Sequence, residues 1–190
     1  MDRNIQITSE RLMLRPIQLA DSALIFAYRS NSVINQYQGW IPKTIGDIHD
    51  FITNLTSPEF NLPGSWFQFV IIRKDNGELI GDIGIHFLDF DGYQVELGIT
   101  LNENHQGNGF ATEALTGVIN FLFDRLNKHR ITASIDPRNL KSIQLFELLG
   151  FRKEAHFKQS IFIKDEWVDD LIYAILKDEW SKIRQSVSVK

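Results

Sequence analysis

Apolar and polar residues alternate along this chain with two different periods, and the switches between them lay out its elements. In the opening segment IQITSERLMLRPI, Leu12 and Leu14 alternate with Arg11 and Arg15, the period of a half-buried strand, and Pro16 stops it. From Asp21 to Arg29 the apolar Leu24, Ile25 and Tyr28 fall at helical spacing, with Asp21 as the predicted cap. TIGDIHDFITNL repeats that period through Ile45, Ile48, Ile52 and Leu55. Three strand-like runs follow, SWFQFVIIRK, ELIGDIGIHFLDF and YQVELGITL, separated by the turn signals DNG and DG, and they predict an antiparallel meander. A long amphipathic helix then carries Ala114, Leu115, Val118, Ile119, Leu122, Phe123 and Leu126 on one stripe. RITASID reads as a strand closed by Pro137. NLKSIQLFELLGF reads as a short helix capped by Asn139 and ended by Gly150 in a left-handed conformation. FRKEAHFKQSIFI and EWVDDLIYAIL, joined at KDE, predict a terminal hairpin. The expected order is β-α-α-β-β-β-α-β-α-β-β.

Composition narrows the class. A chain of 190 residues with 43% hydrophobic content, and with no repeat or Pro/Gly/Ser-rich linker, fits one compact domain. Its formal charge of −4 argues against a nucleic-acid partner, which would select a basic stripe, and accommodates an amine-bearing one. There is no cysteine, so disulfides, thiolate metal sites and a cysteine nucleophile are excluded. The five histidines are dispersed without H-x-x-x-H spacing, so no metal is expected. No apolar run approaches the roughly 18 residues of a membrane helix, and the first residues lack the apolar core of a signal peptide. A cytoplasmic protein without a membrane partner is the expectation.

Candidate chemistry centres on HQGNGFATEAL, where two glycines precede a helix. The first turn of a helix leaves backbone N–H groups unpaired, and glycines at 107 and 109 let the main chain curl around an anion, with Ala111 keeping the helix start unobstructed. A dinucleotide fingerprint is excluded, because the loop follows a meander rather than the first strand of a parallel βαβ unit, and a Walker loop is excluded by the lack of G-K-[ST]. A connecting turn and a pyrophosphate cradle both remain on the loop alone.

The spacing Gln106-x-x-Gly109-x-Ala111 resembles the [QR]-x-x-G-x-[GA] signature of the GNAT acetyltransferases. RITASIDPRNLKSIQLFELLGF resembles the second cofactor segment of that family, through Asn139, Leu149, Gly150 and Phe151. TSERLMLRPIQLAD and WVDDLIYAILKDEW resemble the branch containing ribosomal-protein N-terminal acetyltransferases. The resemblance spans about Thr8 to Trp180. It implies one domain over residues 8–180, with 181–190 expected as a C-terminal tail. The fold it implies is α+β, a mixed, mostly antiparallel sheet flanked by helices, whose fourth and fifth strands splay apart at a parallel pairing.

For acetyl-CoA, the resemblance implies that backbone groups of Ile99 and Leu101 pair with the pantetheine arm as an added strand. Gln106, Gly107, Asn108, Gly109, Phe110, Ala111 and Thr112 then hold the pyrophosphate. Asn139 lies near pantetheine, a role compatible with helix capping, and Ser142 shares its helical face. Many relatives place a tyrosine acid where this chain has Phe146, which cannot give a proton. The ribosomal branch carries a serine at the position of Ser142, which makes Ser142 the candidate donor to the leaving sulfur; a hydroxyl bonded to backbone is the plainer role.

Acetyl transfer needs a neutral amine, and Glu96 is the candidate base, working through water. The alternation in YQVELGIT aims it into the splay, although a solvent-facing Glu fits the same pattern. On the acceptor side, Tyr37 and Trp40 in NQYQGWIPKT are candidate pocket walls able to face an ammonium group, with Trp40 more readily a core residue. Asp169 matches an acidic position of the branch motif within the cluster Asp165, Glu166, Asp169 and Asp170. His86 is a further candidate. The expected function is acetyl transfer to a primary amine, of a protein N-terminus or a small molecule, in a ternary complex. A polyamine or aminoglycoside acceptor is the alternative within the class. A non-catalytic CoA-binding sensor, suggested by Phe146, is the alternative from another class. A homodimer is one expectation for its assembly.

Overall fold

The computed structural model describes residues 5–88 and 92–188, the side chains of 187 and 188 excepted. Its strands are β1 (Ile7–Thr8), β2 (Leu12–Pro16), β3 (Trp66–Arg73), β4 (Leu79–Leu88), β5 (Gln94–Leu101), β6 (Arg130–Ile135), β7 (Arg152–Ile163) and β8 (Glu166–Leu176). They form one sheet in the order β1-β2-β3-β4-β5-β6-β8-β7, antiparallel throughout except between β5 and β6. The helices are α1 (Ser22–Arg29), α2 (Ile45–Asp50), α3 (Phe110–Asp124), α4 (Leu140–Leu148) and α5 (Lys177–Ser188). This is the α+β architecture predicted from the periodicities, with the meander β3-β4-β5 intact. The DG turn ahead of β5 lies partly outside the described residues.

Two apolar clusters sandwich the sheet. The larger joins Phe67, Phe69, Ile83, Ile85, Phe87, Val95 and Leu97 to the predicted stripe of α3, and takes in Phe146 and Leu149 of α4. The smaller joins Val70 and Ile72 to Ile25 and Tyr28 of α1 and Ile48 of α2. Leu24, Ile45 and Leu55, expected on the buried stripes of the first helices, are instead exposed. These helices are short, and α2 widens into a π turn over Phe51–Leu55, so only part of each predicted face reaches the sheet.

Three other expectations change. The first strand is a hairpin: Ser9 accepts the Leu12 N–H on its hydroxyl (3.3 Å) and donates its own N–H to the Leu12 carbonyl (3.0 Å), pairing Ile7 with Leu14. Asp21 does not cap α1 with its side chain; its carboxylate accepts from Arg15 (2.7 Å) and from the Gln18 N–H (2.8 Å). The predicted tail is, through residue 188, helix α5. It is polar, yet it docks because Trp180 is buried and donates to Asn120 (2.8 Å), while Arg184 pairs with Asp124 (2.7 Å) on α3. Gly150 takes the predicted left-handed conformation, with φ of 84°.

Candidate active site

The parallel pairing of β5 with β6 covers only Gln94–Arg130, Val95–Ile131 and Glu96–Thr132. β5 stays on β4 as far as Leu101, and β6 stays on β8 as far as Ile135, so past Glu96 the two strands diverge. The Tyr93 carbonyl accepts the His129 N–H (2.8 Å), and the Val95 carbonyl accepts the Thr132 hydroxyl (3.3 Å). Main-chain groups alternate direction along a strand, so Leu97, Ile99 and Leu101 aim theirs toward the gap. The Leu101 carbonyl already accepts from the Gln106 side chain (3.1 Å), which ties the following loop to the strand end.

That loop makes one short turn, Glu103–His105, steadied by His105 against Glu78 (3.0 Å), and then reaches Gly107 and Gly109, with φ of 76° and 79°. Both values lie where an L side chain is strained, which is the physical demand for glycine here. Asn108 bonds back to the Gln106 carbonyl (3.1 Å). Gly109 is the N-cap of α3, and the first helical bond runs from the Glu113 N–H to the Gly109 carbonyl (3.0 Å). The N–H groups of Phe110, Ala111 and Thr112 therefore have no partner within the helix. Contrast α2 and α4, whose N-caps Thr44 and Asn139 each accept a backbone N–H on their own side chains. With glycine at its cap, α3 leaves its positive end open to an external anion. Phe110 contributes only its main chain, since its ring is buried beside the Arg11 guanidinium at 4.5 Å.

Across the gap, Lys141 of α4 donates to the Gln106 side chain (3.2 Å), so the loop and α4 meet. The Asn139 side-chain oxygen accepts the Ser142 N–H (3.2 Å). The Ser142 hydroxyl itself makes no hydrogen bond among the described residues. Phe146 is core, packed edge-on against Phe151 at 5.0 Å.

The opposite face of the strands carries the polar row Trp66, His86, Glu96, Thr132, in register across β3 to β6. The His86 ring stacks on Trp66 with centroids 4.6 Å apart. Burial pushes the Glu96 carboxyl above its ordinary pKa, and the negative charge of Asp170 adds to the effect. Asp170 is buried and accepts from the Ser134 hydroxyl (2.7 Å). Beyond Glu96, Gly98 faces Gly84, and a side chain built at Gly98 would meet nothing within 4 Å.

Of the two neighbouring acids, Asp170 rather than the motif-matched Asp169 lies near Glu96. Asp169 accepts from the Gln159 N–H (2.9 Å), Lys158 (2.8 Å) and His156 (2.7 Å), which hold its carboxyl well below the usual range. It braces the irregularity between Phe157 and Ile161, where Gln159 has φ of 46°. Successive strand residues point to opposite faces, so Asp170 rather than Asp169 turns toward Ser134 and Glu96.

The loop between α1 and α2 closes against the β7–β8 tip, where Lys164 donates to the Gln36 carbonyl (2.8 Å). Tyr37 lies under the Arg138 guanidinium at 5.9 Å, and Arg138 also pairs with Asp136 and Glu166. Trp40 stacks on Phe51 (5.1 Å) against the smaller core, and its remaining surface lines a groove of about 620 Å³ with Pro42, Lys43 and Lys164. It is thus both core and wall.

A family model described as an acetyltransferase (GNAT) domain matches residues 11–152. An N-acetyltransferase of Bacillus licheniformis is 33% identical over 174 residues, covering 91% of this chain and 97% of its own. The [ribosomal protein uS5]-alanine N-acetyltransferase of Escherichia coli is 32% identical over 124 residues, 65% of this chain and 64% of its own. Among solved structures, a GNAT-family acetyltransferase from Bacillus anthracis superposes with a TM-score of 0.81 at 28% identity, covering 92% of this chain and 99% of its own.

Proposed function

The chain belongs to the GNAT acetyltransferase family and is an acetyl-CoA-dependent N-acyltransferase; within that class, we propose that it acetylates the amine of a protein or peptide N-terminus in the cleft where β5 and β6 part. The observation that carries this is the placement of Glu96. It is the last residue of β5 paired with β6, its carboxyl is raised by burial, and Gly98 beyond it leaves open space.

Acetyl-CoA supplies the acyl group, and the chain supplies its positioning. The open amides of residues 110–112 hold the pyrophosphate, and the β5 main chain at Ile99 and Leu101 receives pantetheine. An α-ammonium, with a pKa of about 8, sheds its proton at low cost near neutral pH, and Glu96 takes it through water. A β5 backbone N–H stabilises the developing oxyanion. Ser142 then donates to a sulfur whose thiol pKa of about 8.5 already makes it an adequate leaving group.

An N-terminus is favoured over a polycation because an α-amine loses its proton at lower cost than an aliphatic amine with a pKa of about 10, so a single half-buried carboxyl suffices. The E. coli relative named for a ribosomal-protein alanine supports the same choice. A polyamine acceptor is the second reading, favoured by Asp170 as a further carboxylate beside Glu96. A mass-resolved acetylation screen with thiol detection separates them. Peptides with varied N-termini should react and polyamines should not; the reverse selects the second reading. No thiol release with any amine, despite cofactor binding, would leave only a sensor.

A further inference from the structure

Glu113 is out of place for a helix that is to receive a diphosphate. It sits in the first turn of α3, beside the open amides of residues 110–112. A carboxylate there ordinarily occupies the positive helix end itself, and it repels a second anion. Here it is drawn away by the β1–β2 turn. One carboxylate oxygen accepts from the Ser9 hydroxyl (2.7 Å) and the Arg11 N–H (2.8 Å), and the other accepts from Arg11 Nε (2.6 Å). The same guanidinium reaches the Asn108 carbonyl through Nη1 (3.1 Å) and lies over the Phe110 ring. Lys74 donates to the Ser9 carbonyl (3.0 Å), holding the turn to the end of β3. Partial burial pushes the Glu113 carboxyl up, yet the bonds from Ser9 and Arg11 outweigh it and keep the group ionised.

We propose that Arg11, with Ser9, is a positioning element for the cofactor: it neutralises Glu113 and pulls it off the helix end, so that the amides stay free for the pyrophosphate. This rests on the pyrophosphate role given to the loop above. A brace and an electrostatic guard make opposite demands on Glu113. If the pair only braced the fold, removing both partners would be at least as harmful as removing one. As a guard, Arg11 is needed only while Glu113 is charged.

Titration calorimetry with CoA, with circular dichroism of each variant, tests this on the whole chain. Arg11→Ala should weaken CoA binding about tenfold, with the kinetic loss falling more on KM for acetyl-CoA than on kcat. Adding Glu113→Gln to that variant should restore affinity to within about threefold of wild type, and Arg11→Lys, which keeps the charge, should do as well alone. A double variant as weak as Arg11→Ala overturns the proposal, as does Arg11→Ala binding like wild type. Wild-type protein that takes up no CoA overturns the pyrophosphate role of the loop, and this inference with it.

Discussion

The two faces of the central strands have opposite contents. On β4, Ile83, Ile85 and Phe87 enter the cluster under α3, while the alternating Asp82, Gly84 and His86 turn to the other side. On β5, Val95 and Leu97 face the cluster, and Glu96, Gly98 and Thr100 oppose them. The second face is apolar under α1 and α2, at Val70 and Ile72 of β3, and it buries polar groups beside them. Asp82 there accepts from Tyr28, Arg29 and Gln68, and no buried side-chain nitrogen or oxygen among the described residues lacks a partner. Further along the same face the packing ends, at Glu96 and the open Gly98. A displacement of one residue along the strand thus separates the side that holds the sheet together from the side proposed to act on an acceptor, and a rigid apolar layer supports a carboxylate that is costly to ionise.

Four substitutions break or sharpen that contrast. The largest effect belongs to the packed face: Phe69→Ala, which removes a fully buried ring, should cost about 3–5 kcal/mol in denaturant titration while the activity of the molecules that remain folded persists. Next comes Glu96→Gln, which should lower kcat/KM about 100-fold and remove the acidic limb of the pH–rate profile. Its stability effect runs the other way. Because the folded pKa is raised, ionising Glu96 costs the fold. The wild type is favoured below the ordinary carboxylate pKa, and that advantage is lost as pH rises through the raised value. The Gln variant should therefore melt above wild type at neutral pH and not in acid; equal melting at both pH values would remove Glu96 from the buried cleft. Gly109→Val, strained at φ of 79°, should weaken acetyl-CoA binding about thirtyfold, and unchanged affinity by calorimetry counts against the cradle. Ser142→Ala is the mildest, lowering turnover about fivefold with cofactor affinity nearly kept. Wild-type turnover there would end its role at sulfur.

Much of this was legible from local pattern. The meander, the α3 stripe, the caps at Asn139 and Gly150 and the splay at β5 and β6 follow periodicity, punctuation and resemblance, because each depends on residues close in sequence or on a shared motif. Asp169 and Asp170 show where that stops. Both lie in one acidic run, and only the placement of β8 between β7 and β6 decides that the first braces an irregular strand and the second meets Ser134. Arg11 was read as the polar half of a strand, and its guanidinium meets Glu113, 102 positions along the chain. Residues 181–190 were expected as a tail because the resemblance ends near Trp180, and through 188 they continue helix α5, which docks where Trp180 meets Asn120 and Arg184 meets Asp124.

By itself the sequence determined most of the element order, the alternation of β2 and β5 between an apolar and a polar side, and the glycines that only a left-handed loop requires. These are short-range consequences of sterics and of hiding apolar surface from water. Tertiary structure alone decided which carboxylate faces the cleft, what neutralises the acid at the head of α3, and where the sheet opens. Those depend on charges and main-chain groups brought within a few ångströms across long loops, and electrostatic and hydrogen-bond energies fall off too steeply with distance for one-dimensional spacing to fix them.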